Sequence, residues 1–94
     1  MQNLNIKNLL KTWYISYNPY SDLFQIYDAI AFETPKEKLI QRRHNKIRIL
    51  INKTSSLPIM LEIKSAYDIL GVKIDNLAKS DIIDLVEPYI QKYA

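Results

Sequence analysis

Two segments in the first third of the chain alternate their side chains with the two-residue period of a β-strand. Residues 13–17 are rich in aromatic and β-branched types, and residues 23–28 place Phe24 and Ile26 on one face. Residues 18–22 between them contain Asn, Pro, Ser and Asp, which favour a turn because proline fixes φ and the polar side chains hydrogen-bond the local backbone. The pattern predicts an antiparallel β-hairpin.

A second hairpin is predicted in the middle of the chain. Residues 46–51 alternate basic and apolar side chains, and residues 59–63 place three apolar side chains on one face. The connection over residues 52–58 is rich in turn-forming types. Between the two hairpins, Pro35 suits the start of a helix, so a helical turn is expected over residues 36–43.

After the second hairpin the apolar spacing changes to that of a helix. Residues 66–70 predict one or two helical turns, with Gly71, the single glycine of the chain, as their C-terminal cap. Apolar side chains recur every three or four positions over residues 77–93, which predicts an amphipathic helix with Ser80 as its N-cap. Pro88 is expected to kink or divide that helix.

These elements together predict an α+β fold. Two β-hairpins within residues 13–70 form a four-stranded antiparallel sheet, and the C-terminal amphipathic helix over residues 77–93 packs on one face. Residues 1–11 have weak helical spacing and are expected to add a short helix or an arm to the same face. A length of 94 residues suits one domain, residues 1–94, with one core.

Composition excludes several classes of protein. A hydrophobic content of 48% argues against disorder, and the absence of cysteine excludes disulfides, thiolate zinc sites and a cysteine nucleophile. A single glycine excludes phosphate-binding and dinucleotide-binding loops. The longest apolar run, residues 57–61, is too short to span a bilayer, and residues 1–11 lack the apolar core of a signal peptide. We therefore expect a cytoplasmic protein with no membrane segment, metal or cofactor.

The two hairpins carry patterns that resemble a known family. Residues 17–26 read Tyr-Asn-Pro-Tyr-Ser-Asp-Leu-Phe-Gln-Ile, and residues 60–63 read Met-Leu-Glu-Ile. These segments are similar to strands of domain-of-unknown-function family 2283, a group of very small bacterial and archaeal proteins, over residues 13–70. Three positions depart from the family pattern, namely Asn18, Gln25 and Met60. The resemblance implies the double-hairpin fold and no established activity, and the context of some relatives implies an antitoxin-like role.

The sequence predicts no catalytic residue. His44, the single histidine, has no adjacent nucleophile or orienting carboxylate and is expected to be a solvated loop residue. Asp22 and Glu62 would serve acid–base chemistry or cation binding if the sheet brought them together. The simpler interpretation is that Asp22 caps the turn and Glu62 points outward from a strand. We therefore expect a protein that is not an enzyme.

A basic window covers residues 36–53, which hold seven Lys or Arg residues and one acid in a chain whose net charge is only +3. Nucleic-acid binding would use these cations to neutralise phosphates. The candidate contacts are Lys36, Lys38, Arg42, Arg43, Lys46 and Arg48. The alternative is that they form the solvated face of a strand, where charge discourages edge-to-edge aggregation.

Tyrosines suggest a second kind of surface, because rings with a polar tip are enriched at interfaces. The candidate interaction aromatics are Tyr14, Tyr17, Tyr20 and Tyr27, although core packing would explain them equally well. A sheet with two open edges also favours a homodimer or a protein partner bound by strand addition. We predict a small interaction module that binds another macromolecule, with nucleic-acid binding through residues 36–53 as the alternative.

Overall fold

The computed structural model describes residues 5–94, and within them it contains five strands and three α-helices. The strands are β1 (Tyr14–Asn18), β2 (Leu23–Tyr27), β3 (Leu39–His44), β4 (Ile47–Asn52) and β5 (Pro58–Lys64). The helices are α1 (Ile6–Leu10), α2 (Ala66–Leu70) and α3 (Lys79–Tyr93), and short 3-10 turns lie at Lys36–Lys38 and Ile74–Asn76. All strand pairs are antiparallel, in the order β1-β2-β5-β4-β3.

Both predicted hairpins are confirmed, and they join through their inner strands. β1 pairs with β2, β4 pairs with β5, and β2 pairs with β5 in the centre of the sheet. β5 is buried along its length except at Lys64, because it has a neighbouring strand on each side and side chains packed against both of its faces. The α+β class predicted from the sequence is therefore confirmed.

The predicted number of strands is wrong, because a helical turn was expected where the chain forms a fifth strand. Pro35 is followed by the short 3-10 turn at Lys36–Lys38, and the chain then extends as β3. A tight turn reverses it into β4, and Asn45 lies there with φ at 54°. Asparagine tolerates this left-handed conformation better than most residues, so it suits such a turn.

The helices pack on one face of the sheet, as predicted. Buried side chains of α1 and α3 join those of the strands in one core cluster, in which Trp13, Phe24 and Leu61 are almost completely inaccessible. α1 belongs to the predicted N-terminal arm over residues 1–11, and the first four residues of that arm lie outside the described residues. No helix among residues 5–94 combines the length and apolar character needed to cross a membrane.

The C-terminal helix differs from its prediction in two details. Ser80 is not the N-cap, because α3 begins at Lys79 after Ala78, which makes no capping bond through its side chain. The Lys79 ammonium instead donates to the backbone carbonyls of Lys11 (2.9 Å) and Trp13 (2.5 Å). Pro88 does not divide α3, which continues as one helix to Tyr93.

Gly71 ends α2 as predicted, and it supplies a test of the fold. Its φ is +77°, and its N–H donates to the Tyr67 carbonyl at 2.8 Å. A methyl group at this position would contact nothing, so the cost of Gly71→Ala is the backbone strain alone. We expect a loss of about 1 kcal/mol in the free energy of unfolding, or a melting temperature lower by roughly 5 °C. Asp68→Ala, at an exposed position within α2, is the control and should change little.

Candidate functional site on the open sheet face

The face of the sheet opposite the helices is called here the open face. Strand register aligns its side chains in rows that run across all five strands. The apolar row consists of Tyr14, Tyr27, Met60, Leu50 and, at its end, Gln41. The polar row consists of Ser16, Gln25, Glu62, Arg48 and Arg43. The open face thus carries a row of mainly aromatic and apolar side chains beside a row of hydrogen-bonding and charged side chains.

Three aromatic side chains lie together at the β1–β2 end of the apolar row, and we call them the aromatic cluster. The ring centroids of Tyr14 and Tyr27 are 6.0 Å apart, and those of Tyr27 and Phe32 are 4.9 Å apart with an edge-to-face tilt of 66°. Tyr14 is 58% exposed and Phe32 is 66% exposed. Contiguous exposed rings often occur at binding surfaces, so the cluster is a candidate contact region.

Residues 28–38 fold back over part of the open face. Ala31 packs against the apolar row in a small second cluster with Leu50, Ile59 and Met60. A cleft of about 540 Å³ remains between this segment and the sheet. Its lining consists of Ala31, Phe32, Thr34, Lys36, Leu39, Gln41, Arg48, Leu50 and Met60. The cleft therefore joins the aromatic cluster to the basic side of the face.

A buried ion pair holds the centre of the polar row. Arg48 approaches Glu62 through two nitrogens, at 2.8 and 3.2 Å, and Gln25 donates to the same carboxylate at 2.9 Å. The Glu62 side chain is only 8% exposed. Burial acts to raise the pKa of Glu62, but hydrogen bonds from Arg48 and Gln25, with the positive charges of Arg48 and Lys64, outweigh it and lower that pKa. Glu62 is therefore an ionised structural group at neutral pH.

The other charged side chains that the strand register and the cleft lining place on the open face are positive. Within residues 5–94, the one ion pair on this face joins Arg48 to Glu62, and it cancels both charges. Three further cations border the two rows and form no ion pair with a carboxylate of residues 5–94: Arg43 in the polar row, Lys64 beyond Glu62 on β5, and Lys36 in the lining of the cleft. An anionic partner would therefore be attracted to this face.

The predicted basic window is divided between two faces. Arg43 faces Arg48 on the open face, whereas Arg42 is opposite Ile49 and so lies on the helix side of β3. Lys46 donates to the Ser65 hydroxyl at 3.1 Å. Lys38 lies exposed in the 3-10 turn before β3, where its carbonyl accepts a bond from the Lys53 N–H. Three of the six predicted contacts, Lys36, Arg43 and Arg48, come together on the open face.

The predicted aromatics are divided in the same way. Tyr14 and Tyr27 belong to the aromatic cluster, but Tyr20 is 99% exposed on the β1–β2 turn. Tyr17 packs on the helix side, and its hydroxyl donates to Asp22 at 2.6 Å. That hydrogen bond, with burial and nearby carboxylate charge, raises the pKa of Tyr17 to about 12. Sequence reasoning missed Phe32, which lies in a segment without a regular apolar period.

Asp22 and Glu62, the two candidates for acid–base chemistry or cation binding, lie apart from each other. Asp22 accepts bonds from the Tyr17 hydroxyl and from the Tyr67 N–H, at the helix side of the hairpin. Glu62 lies on the open face, so no carboxylate pair forms between them. Asp22 does not cap the turn as expected, because the capping side chain is that of Asn18, which accepts from the Tyr20 N–H at 2.9 Å. Glu62 was expected to point outward into solvent, but it is buried.

His44 is not a loop residue. It is the last residue of β3, and its ring stacks on Tyr93 with centroids 4.6 Å apart and an interplanar angle of 18°. This contact attaches the exposed end of the edge strand to α3. In the part of the chain that the structure describes, no group of three or more His, Asp or Glu side chains is arranged to hold a metal ion.

Comparison with known proteins indicates no function for this chain, so its function is inferred from the geometry of the open face. No family model, no curated protein and no solved structure matches the chain. The resemblance to family 2283 over residues 13–70 stays a prediction. The open face is accordingly interpreted from its own side chains.

Proposed function

We propose that the protein is a non-enzymatic interaction module whose open face binds single-stranded nucleic acid. The observation that carries the proposal is the presence, on one face, of an exposed aromatic cluster and of three cations that pair with no carboxylate in the described part of the chain. Bases of a single strand stack on exposed rings, and cations that follow the backbone neutralise its phosphates. The bases and the phosphates of the ligand thus each have a matching group of side chains on the open face.

The arrangement favours a single strand over a duplex. A ring can stack only on a base whose face is free, and bases in a duplex are stacked on each other. Tyr14 and Phe32 expose more than half of their surface on either side of Tyr27. The edge strands β1 and β3 are separated by about 19 Å, from four strand spacings, which is room for several nucleotides between the cluster and Arg43.

The cleft supports the proposal by offering space for a base turned out of the strand. Its volume of about 540 Å³ lies within the range typical of small-ligand sites. Phe32 forms part of one wall, and the Gln41 and Arg48 side chains supply hydrogen-bonding groups. Such groups can read the edge of an unpaired base.

A titration at two salt concentrations tests the proposal. A fluorescently labelled oligonucleotide of about 12 residues should bind at about 50 mM salt and lose roughly 20-fold in affinity at about 200 mM, as expected for about three phosphate contacts. Polyglutamate of similar charge serves as a competitor, because an acidic protein would meet the same cations. No binding at low salt would reject the proposal, and equal competition by polyglutamate would favour an acidic protein partner instead.

Removal of one ring tests the stacking contact. Tyr14→Ala should weaken oligonucleotide binding about tenfold, because base stacking on an aromatic side chain contributes roughly 1–3 kcal/mol. Tyr20→Ala is the control, since it removes a still more exposed tyrosine from the β1–β2 turn. An equal loss in both variants would contradict stacking on the aromatic cluster.

A further inference from the structure

The two edges of the sheet differ in their protection against strand pairing. The β3 edge carries the charges of Arg42 and Arg43, which oppose the approach of another strand. The β1 edge reads Tyr-Ile-Ser-Tyr-Asn, with no charge, no proline and a regular register to β2. β1 is therefore the edge at which another strand can add.

The direction of the backbone groups shows which residues of β1 would pair. Asp28 donates its N–H to the Ile59 carbonyl at 2.8 Å, in continuation of the β2–β5 register. Backbone groups alternate along a strand, so even-numbered residues of β2 bond to β5 and odd-numbered residues bond to β1. The β1 partners of the odd-numbered residues are Tyr14, Ser16 and Asn18. Ile15 and Tyr17 consequently direct their N–H and C=O groups away from the sheet.

We infer that β1 pairs antiparallel with β1 of a second copy of this chain, around a two-fold axis at Ser16. In this register Ser16 faces its own copy, Ile15 faces Tyr17, and Tyr14 faces Asn18. The two Ile15–Tyr17 pairs exchange four backbone hydrogen bonds, which satisfies every outward group of the strand. No like charges meet, because the strand has none.

The dimer continues the open face from one copy to the next. An antiparallel pair related by a two-fold axis has that axis perpendicular to the sheet, so both open faces lie on the same side. The two polar rows then meet at Ser16, and Arg43 lies at both outer ends of a ten-stranded sheet. The pairing surface is one short strand per copy, so the dimer should be weak, as interfaces below roughly 1,200 Å² are.

A cross-link at the axis tests the inference, and the absence of cysteine from the chain makes it specific. In Ser16→Cys the two thiols face each other in a non-hydrogen-bonded pair, with Cα atoms about 4.5 Å apart, which a disulfide can span. Mild oxidation should convert the variant to a covalent species of twice the 11.1 kDa chain mass. Gln41→Cys, on the open face of the other edge strand, should stay at the mass of one chain. Absence of the Ser16→Cys cross-link, or equal cross-linking in both variants, would overturn the inference.

A charge at the axis gives a second test that involves no oxidation. The average mass of the unmodified chain should rise with concentration in sedimentation equilibrium. Ser16→Lys should abolish that rise, because two ammonium groups would face each other, whereas Ser16→Gln should retain it. A constant single-chain mass for the unmodified protein at high concentration would contradict the inference.

The dimer does not rest on nucleic-acid binding, and the two proposals fail separately. A protein that dimerises but binds no oligonucleotide would reject the proposed function alone. A protein that binds oligonucleotide but stays at the mass of one chain would reject the β1 dimer alone.

Discussion

Arg48→Met should lower the free energy of unfolding by about 3 kcal/mol at neutral pH, one of the two largest effects that we expect. The substitution leaves the Glu62 carboxylate, only 8% exposed, with Gln25 as its remaining side-chain donor among the described residues. A buried charge without its partner is costly, and methionine keeps the apolar stem of the arginine in place. Urea unfolding followed by circular dichroism measures the loss.

The pH dependence of this effect has a definite sign. In the unmodified protein the pKa of Glu62 is lowered, so the ion pair contributes stability above the unfolded pKa of about 4.3, and this contribution disappears as pH falls through the lower folded value. In Arg48→Met the pKa of Glu62 should be raised by burial, so the penalty disappears on protonation. The difference in stability between the two proteins should therefore shrink as the pH falls through the acid range.

The control removes both charges. Arg48→Met combined with Glu62→Leu replaces the pair with apolar side chains, and it should recover most of the lost stability. An Arg48→Met protein as stable as the unmodified one at neutral pH would contradict a structural role for the pair. A loss that stays constant from neutral to acid pH would contradict its electrostatic origin.

Trp13→Ala should cost about 4 kcal/mol, because it empties the largest of the fully buried side-chain positions. Trp13 is 1% exposed in the core cluster between the sheet and the helices. Its Nε1 hydrogen has no hydrogen-bond partner among the described residues, and burial of such a donor costs roughly 1–3 kcal/mol. Trp13→Phe keeps a ring and removes this donor, so it should cost much less than the alanine variant.

Denaturant unfolding by circular dichroism checks both Trp13 variants, since each removes the single tryptophan that would report by fluorescence. A loss near 1 kcal/mol for Trp13→Ala would show that the position tolerates a cavity and would contradict its place in the core. Both substitutions remove the unpaired donor, so equal losses for alanine and phenylalanine would contradict a cost that follows the volume of the cavity.

Much of the fold was predictable because its strands and long helix bury one face. Alternation marked the strands that became β1, β2, β4 and β5, and three- and four-residue spacing marked α3. β3 was not predicted, because residues 41–44 are exposed on both faces of an edge strand and no apolar period identifies them. Pro35 further favoured a helix there, although the chain makes only a short 3-10 turn before it extends.

The open face was less predictable than the fold. The basic residues were identified, but Arg42 and Arg43 separate onto opposite faces only when the segment is known to be a strand. The Arg48–Glu62 pair depends on the register between β4 and β5. The connection over residues 52–58 does not specify that register, which also includes an irregularity at Leu50 and Ile51. Phe32 reaches the aromatic cluster through an irregular segment, for which the sequence offers no period.

The adjacent arginines of β3 provide the most direct test of whether the open face binds a single-stranded nucleic acid. Arg43→Glu places a negative charge on the open face, whereas Arg42→Glu makes the same change on the helix side of the same strand. Both variants lower the net charge from +3 by the same amount, so long-range attraction falls equally.

The measurement is the affinity of both variants for the labelled oligonucleotide at about 50 mM salt. We predict that Arg43→Glu weakens binding about tenfold or more, while Arg42→Glu changes it by no more than about twofold. Equal losses in the two variants would mean that binding follows net charge and not the open face, and that result would contradict the proposal.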